Sequence, residues 1–291
     1  MSVSVNGTNG VTFNDGSSQN TSAFTGGFGF RNRIINPAMV IDQRNAGASQ
    51  TVTTSGAYTV DRFFVQPTGA SVTTQRVAGP SGYQYALRLT GAASVTQCFV
   101  QQKIEQLNSN DLAGQTVTVS FTASSSTLTS LTCYVEYATA GADNWSTFAT
   151  STTQAITINS TATRYSFQAT LSASATNGIR FIFSTGAFTS GTLDITGVQL
   201  EKGSTATSFD YRPYGTELQL AQRYFQTIPG IFIPALANAF STCFYKVSMR
   251  ATPTISGGGA GFTLGMTSSE VFLPYQTTGG YLTALNATAE L

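Results

Sequence analysis

The chain has 291 residues, with 14 Lys and Arg against 13 Asp and Glu, a net charge of +1 and no histidine. Only 9% of residues are charged, yet 41% are hydrophobic and 11% aromatic, which excludes a disordered chain. The absence of a basic run removes the footprint for a nucleic-acid backbone, and the absence of histidine removes Ser-His-Asp and Cys-His catalysis and all His-ligated metals.

Residues 1–30 are rich in Gly, Asn, Ser and Thr, with isolated apolar side chains. Val11 and Phe13 alternate, and Asn14-Asp15-Gly16 is a turn signal. This composition cannot build its own core. The segment therefore reads as a strand that orders on a partner, with Val11, Phe13 and Phe24 as its contact residues. Gly26 to Gly29 reads as a hinge. Met1 to Asn6 has neither a basic start nor an apolar run, so no secretory leader is expected.

From residue 31 the pattern becomes a long series of short strands separated by Gly, Ser and Thr clusters. Val117, Val119 and Phe121 recur with period two, as do Cys133, Val135 and Tyr137. Tyr165, Phe167 and Ala169 continue the pattern, followed by Ile179, Phe181 and Phe183, then Leu193 and Ile195. Asn110 to Gly114 is a turn leading into a strand. Such a series predicts an all-β sandwich over residues 31–212. Three cysteines, Cys98, Cys133 and Cys243, cannot all pair within one chain and are expected as buried free thiols of a protein folded in a reducing cytosol.

The stretch from Gly197 to Phe225 changes register. Gly197 to Glu201 ends a strand, Gly203 to Ser208 is a loop, and Pro213 bars a continuing strand. Thr216 and Gln219 have capping-box spacing, and Leu218, Ala221 and Phe225 recur at helical spacing. They predict a helix over 217–226 that stops before Pro229. Residues 226–291 then form a small β region, with strands expected at Phe244 to Met249, Phe262 to Met266, Val271 to Leu273 and Tyr281 to Leu285. A core this thin, almost without charge, needs a covering partner. A homotrimer would cover it, with Leu218, Phe225 and Phe244 at the interface. The most apolar run, Ile228 to Phe244, is broken by Pro229 and Pro234 and is too short to span a bilayer, so no membrane insertion is expected.

The wording GVQLEKGSTATSFDYRPYGTELQLAQRYF resembles a junction found in bacteriophage tail-fibre and virion surface proteins. There a carbohydrate-binding-module-like jelly roll ends in a GVQLE strand, and an RPYGTELxLCQRYY segment leads into a small C-terminal β region. Arg33 to Asn45 and Tyr58 to Phe63 resemble the same family's opening, and Gly10 to Thr21 resembles a segment that begins many phage fibres. Ala221 and Phe225 depart from the family's Cys and second Tyr. The resemblance implies a jelly-roll sandwich over 31–212, a virion-anchoring segment over 1–30 and a short helix plus a trimerising β domain over 213–291. It also implies a virion location after synthesis in the bacterial host's cytoplasm, a homotrimer, contacts with other virion proteins through the N-terminus, and attachment to a host surface glycan.

Two aromatic sites offer sugar-stacking chemistry. Trp145, the single tryptophan, sits in a polar loop beside Asp143 and Asn144, where a ring face and hydroxyl-bonding groups come together. It reads equally as a ring folded back to cap the sandwich edge. Tyr83 and Tyr85, in a Gly- and Pro-flanked loop, form a second platform. Asp42, Asp61 and Glu201 are candidate oxygen ligands for the structural calcium that jelly-roll carbohydrate-binding modules often hold, with salt bridges to Arg44, Arg62 or Arg212 as the other reading. No catalytic set is evident, and no cofactor is required. The leading expectation is a non-enzymatic tail-fibre or receptor-binding protein. A head-fibre, decoration or tail-adaptor protein without essential glycan binding is the alternative, and a polysaccharide depolymerase the third.

Overall fold

The computed structural model describes residues 4–6, 10–12, 15, 18–19, 30–233, 241–258, 263–275 and 280–291. Two compact units emerge, Met1–Arg31 and Asn32–Leu291. In the first, β1 (Ser4–Asn6), β2 (Gly10–Thr12) and β3 (Ser18–Gln19) form a small antiparallel sheet in which Val11 pairs with Val5 and with Gln19. Val11 is half-buried. Phe13, Phe24 and the glycine hinge at 26–29 lie outside the described residues.

The second unit opens with β4 (Gln50–Val52), β5 (Ala57–Tyr58), β6 (Phe64–Thr68), β7 (Val72–Ala78), β8 (Tyr85–Thr90) and β9 (Gln97–Ile104). It continues with β10 (Thr116–Ser125), β11 (Ser130–Ala138), β12 (Phe148–Thr157), β13 (Thr163–Thr170), β14 (Ile179–Ser184) and β15 (Thr192–Lys202). These twelve strands make two six-stranded sheets, β13-β10-β15-β8-β7-β4 and β12-β11-β14-β9-β6-β5. Successive strands repeatedly cross from one sheet to the other, and the pairings are antiparallel. The protein is all-β, a jelly-roll sandwich, as the period-two pattern predicts.

The inward residues meet between the sheets in one cluster that includes Val117, Val119, Phe121, Cys133, Val135, Phe181, Phe183, Leu193 and Ile195. Phe121 meets Phe183 edge to face at 4.8 Å, and Phe181 meets Phe183 in the same way at 4.6 Å. Each buried ring contributes about 2–3 kcal/mol through burial alone. Tyr137 and Tyr165 pack at the margin of this cluster. Asn110–Leu112 is a single 3-10 turn that leads into β10. Cys98 and Cys133 are buried free thiols as expected, but Cys243 is only half-buried.

The helix departs from the sequence expectation. Helix α1 is Tyr214–Gln222, earlier than 217–226, and the capping box of Thr216 and Gln219 does not form. Pro213 occupies the cap position, and its fixed φ suits a helix start. The helix ends early because Phe225 joins a ladder instead. In that ladder β16 (Phe225–Ile228) pairs with β23 (Leu285–Thr288), Phe225 opposite Thr288. Tertiary pairing overrides the helical spacing of Phe225.

Between those two strands lie β17 (Phe232–Ile233), β18 (Cys243–Phe244), β19 (Thr254–Gly257), β20 (Thr263–Thr267), β21 (Val271–Tyr275) and β22 (Gly280–Tyr281). They form the sheets β16-β23-β19, β17-β22 and β18-β21-β20. The strand expected over Phe244 to Met249 stops at Phe244. Beyond it the Gln226 amide replaces a ladder, accepting the Lys246 N–H at 2.8 Å and donating to the Val247 carbonyl at 2.8 Å. Residues 213–291 belong to the same compact unit as the sandwich. They carry a cluster of their own around Ile233, Phe272 and Leu285, and a second in which Ala221, Tyr224 and Leu218 pack with Ile35 and Ile41.

Candidate functional site

Along β14, Ile179, Phe181 and Phe183 point into the core, so Arg180, Ile182 and Ser184 face outward. The register extends each outward position into a row across the second sheet. One row reads Thr153, Tyr134, Ile182, Gln101, Phe64 and Tyr58. The next reads Thr132, Ser184, Phe99 and Gln66. A third carries Glu136, Arg180 and Lys103. The face therefore alternates flat rings with amides and hydroxyls, the mixture that holds a ligand with both C–H and O–H surfaces.

A cavity of about 110 Å³ opens on this face between Tyr58, Phe64, Gln101, Lys103 and Leu291. Tyr58 and Phe64 meet edge to face at 5.1 Å and form its aromatic wall. The side-chain oxygen of Gln101 is buried here without a hydrogen-bond partner among the described residues. A buried acceptor left unpaired costs about 1–3 kcal/mol, so it stands ready for a hydroxyl donor. Lys103 donates to the Leu291 carbonyl oxygen at 2.8 Å. Burial, and then the nearby Arg180 and Arg62 charges, push the Lys103 ammonium down to about 8.

Trp145 stands at the charged end of the same face, with the Arg180 guanidinium 5.2 Å and the Lys103 ammonium 5.6 Å from its ring. The ring is half-buried, and its N–H is buried without a hydrogen-bond partner among the described residues. Arg180 also donates to Glu136 at 2.6 Å and lies 3.9 Å from the Phe148 ring centroid. Asp143 and Asn144 shape the loop that carries Trp145. Asp143 has φ 54 and accepts the Gln106 N–H at 2.8 Å, while Asn144 accepts the Ser146 N–H at 3.0 Å.

Tyr83 and Tyr85 are far from this face. Tyr83 lies across Gly197 on the outer side of the first sheet, accepts an Arg164 N–H at 3.1 Å and meets Phe209 edge to face at 5.2 Å. Tyr85 is half-buried beneath the Arg76 guanidinium, 4.3 Å from its ring centroid.

The three calcium candidates do not form a ligand set: Asp61 lies beside the segment that carries Asp42, but no group of three or more metal-ligating side chains occurs among the described residues. Asp42 accepts the N–H groups of Asn45 and Gly47 at 3.1 and 2.7 Å and faces Arg76 at 3.8 Å. Asp61 accepts the Gln43 N–H at 2.6 Å and has Arg44 at 3.7 Å. Glu201 accepts the Thr207 N–H at 2.9 Å and the Thr207 hydroxyl at 2.7 Å. Arg62 and Arg212 pair elsewhere, with Glu290 and Glu217. Of the three proposed interface residues, Phe225 is buried under the Arg44 guanidinium, 3.8 Å from its centroid. Leu218 packs partly buried beside Tyr224, and Phe244 is 74% exposed.

Gln101, Tyr134, Phe99 and Lys103 did not stand out in the sequence. Their signal is their place between inward residues, as with Tyr134 between Cys133 and Val135. Alternation assigns them to an outer face, but only the sheet order brings them together.

No protein-family model and no curated protein matches the chain. Among solved structures it is similar to a CBM4 structure at 16% identity, over 58% of this chain and 98% of that one, with a TM-score of 0.38. A bacteriophage CBA120 tailspike protein 4 enzymatically active domain matches at 14% identity over 60% of this chain, with a TM-score of 0.38, and the match spans only 22% of that chain. A CBM61 in complex with β-1,4-galactotriose matches at 12% identity, over 60% of this chain and 99% of that one, with a TM-score of 0.37. The overlaps are partial, and the sandwich assignment stands on the strand order itself.

Proposed function

We propose that the protein is a non-enzymatic, glycan-binding component of a phage virion, a tail fibre or receptor-binding protein, whose ligand lies along the outer face of the second sheet. The observation that carries the glycan reading is the Gln101 oxygen, buried without a partner among the described residues in a cavity walled by Tyr58 and Phe64. A sugar supplies both halves of the match, a hydroxyl for the amide and a C–H face for the rings. Tyr134 and Trp145 extend the platform along the sheet. Most of the acids are held by arginines, as in the pairs Glu136–Arg180 and Asp194–Arg88, which favours binding over hydrolysis. The junction wording from Gly197 to Phe225 supports the virion assignment. In this reading residues 1–30 join the virion, and the exposed Phe244, Phe232 and Met266 support a trimer built through the C-terminal strands.

A glycan array with the full chain, followed by calorimetry on the strongest ligand, tests the binding face. Gln101→Leu and Tyr134→Ala should each weaken binding at least about tenfold, the loss that corresponds to 1.4 kcal/mol. Trp145→Ala should weaken it by a smaller factor with the fold intact. An array without a ligand overturns the glycan reading and favours a structural virion component. Release of reducing ends from host polysaccharide overturns the non-enzymatic reading.

A further inference from the structure

The outer face of the first sheet holds a second hollow, of about 220 Å³, lined in part by Gly79, Pro80, Thr122, Ser124, Asp194 and Thr196. Its origin lies in residue size. On β15 and β10 the outward positions Thr196 and Thr122 sit opposite each other, and on β8 the outward Ala86 lines the same hollow. Three neighbouring strands thus place only small side chains at one level. One row along, Arg88, Asp194 and Ser124 stand in register and raise a polar wall. The turn from Pro80 to Tyr83, closed by the Tyr83 N–H on the Pro80 carbonyl at 2.9 Å, supplies an apolar wall.

The chemistry is specific. Asp194 is gripped by Arg88 through both oxygens, Nε to Oδ1 at 2.8 Å and Nη2 to Oδ2 at 2.7 Å. This fork fixes the carboxylate and cancels its charge, while each oxygen keeps a lone pair for a further donor. The Thr196 hydroxyl donates to the Tyr85 carbonyl at 2.7 Å, so towards the hollow it accepts. The site therefore offers hydroxyl-bonding groups on one side, Pro80 and alanine surface on the other, and no net charge. Its volume lies below the roughly 300–1,000 Å³ of drug-sized sites, which suits one ring and not a chain.

We propose that this hollow is a second saccharide site, taking a single neutral hexose unit on the side of the sandwich opposite the extended face. It does not rest on the first face being a glycan site. With both faces occupied, one sandwich bridges two glycan strands, and linked binding events raise avidity without new contacts.

The test uses the full-length protein and saturation-transfer NMR with neutral methyl hexopyranosides, with glucuronate as the charged control. Ala162 is exposed at the rim, so Ala162→Leu fills the hollow without disturbing the core. Asp194→Asn keeps the shape but loses the fork, and circular dichroism checks both folds. At least one neutral hexoside should bind saturably at millimolar concentration to the wild type and to Gln101→Leu. Ala162→Leu and Asp194→Asn should each weaken it at least about tenfold, and glucuronate should not compete. The proposal is overturned if no hexoside binds saturably, or if binding survives both substitutions. Binding lost in Gln101→Leu but kept in Ala162→Leu also overturns it, and assigns the sugar to the extended face alone. Should Ala162→Leu unfold, Asp194→Asn decides.

Discussion

The guanidinium of Arg62 lies against the ring of Tyr224, 3.4 Å from its centroid. Arg62 is fully buried, is paired with Glu290, and donates to the Lys103 carbonyl at 2.6 Å. Glu290 also accepts from Arg44 at 2.8 Å, and Arg44 covers Phe225. A loop of the sandwich, the segment after α1 and the last residues of the chain therefore meet at two stacked arginines and one carboxylate.

This cluster predicts a large, asymmetric mutational cost. Removing one partner of a buried pair leaves an uncompensated charge, so Glu290→Ala should destabilise the protein by about 3–5 kcal/mol. Arg62→Met combined with Glu290→Leu should cost less than the sum of the two single changes, because no orphaned charge remains at Arg62. Urea unfolding of the four proteins measures the coupling, and simple additivity would refute it.

Asp61 predicts a pH dependence. Burial pushes its carboxyl up to about 6, against the opposing pull of the Gln43 N–H and Arg44. The folded chain thus holds this proton more tightly than the unfolded chain, whose carboxyl titrates near 4. Stability from this group is present below about pH 4 and is lost as pH rises to about 6, by on the order of 2–3 kcal/mol. Asp61→Asn preserves an acceptor for Gln43 and cannot ionise. The wild-type melting temperature should fall relative to the variant between these pH values, and parallel curves would exclude the effect.

Gly197 should tolerate no side chain. Its φ is +59, and a Cβ there would meet the Tyr83 ring and hydroxyl at 2.4–2.6 Å. Gly197→Ala combines left-handed strain, about 1 kcal/mol or more, with a clash. In a Tyr83→Ala background the clash disappears and only the strain remains. The cost of Gly197→Ala, read from thermal unfolding, should therefore be smaller in that background.

Phe225 and Phe244 should separate folding from assembly. Phe225→Asp buries an unpaired charge in the chain's own core and should unfold or aggregate the protein. Phe244→Asp changes a side chain that is 74% exposed and should leave the melting temperature of the subunit nearly unchanged. Light scattering should show a trimer for the wild type and monomers for Phe244→Asp. A wild-type monomer at micromolar concentration refutes the trimer.

The sandwich was legible because strand alternation is a local property. Residues such as Val119, Phe121, Phe181 and Ile195 announce which side of a strand is apolar, and hydrophobic burial acts on that pattern directly. The helix was legible in kind but not in extent. Phe225 carries helical spacing, yet it takes its place in a ladder opposite Thr288, more than sixty residues away. The mid-chain aromatics divided in the same way. Tyr83 and Trp145 stand out in the sequence, but Tyr83 locks a loop over Gly197, and Trp145 borders a sheet face whose other members carry no local mark.

The sequence by itself determined the fold class, the inward residues of the sandwich and the absence of histidine chemistry. Each depends on residue identity or on neighbours two positions apart. Tertiary structure alone decided where the sites lie. Gln101, Tyr134 and Phe64 share a row, and Thr122 and Thr196 a floor, only because strands distant in sequence pair in one register. Register is a long-range quantity, set by the packing of whole sheets against each other, and no local pattern encodes which strands become neighbours.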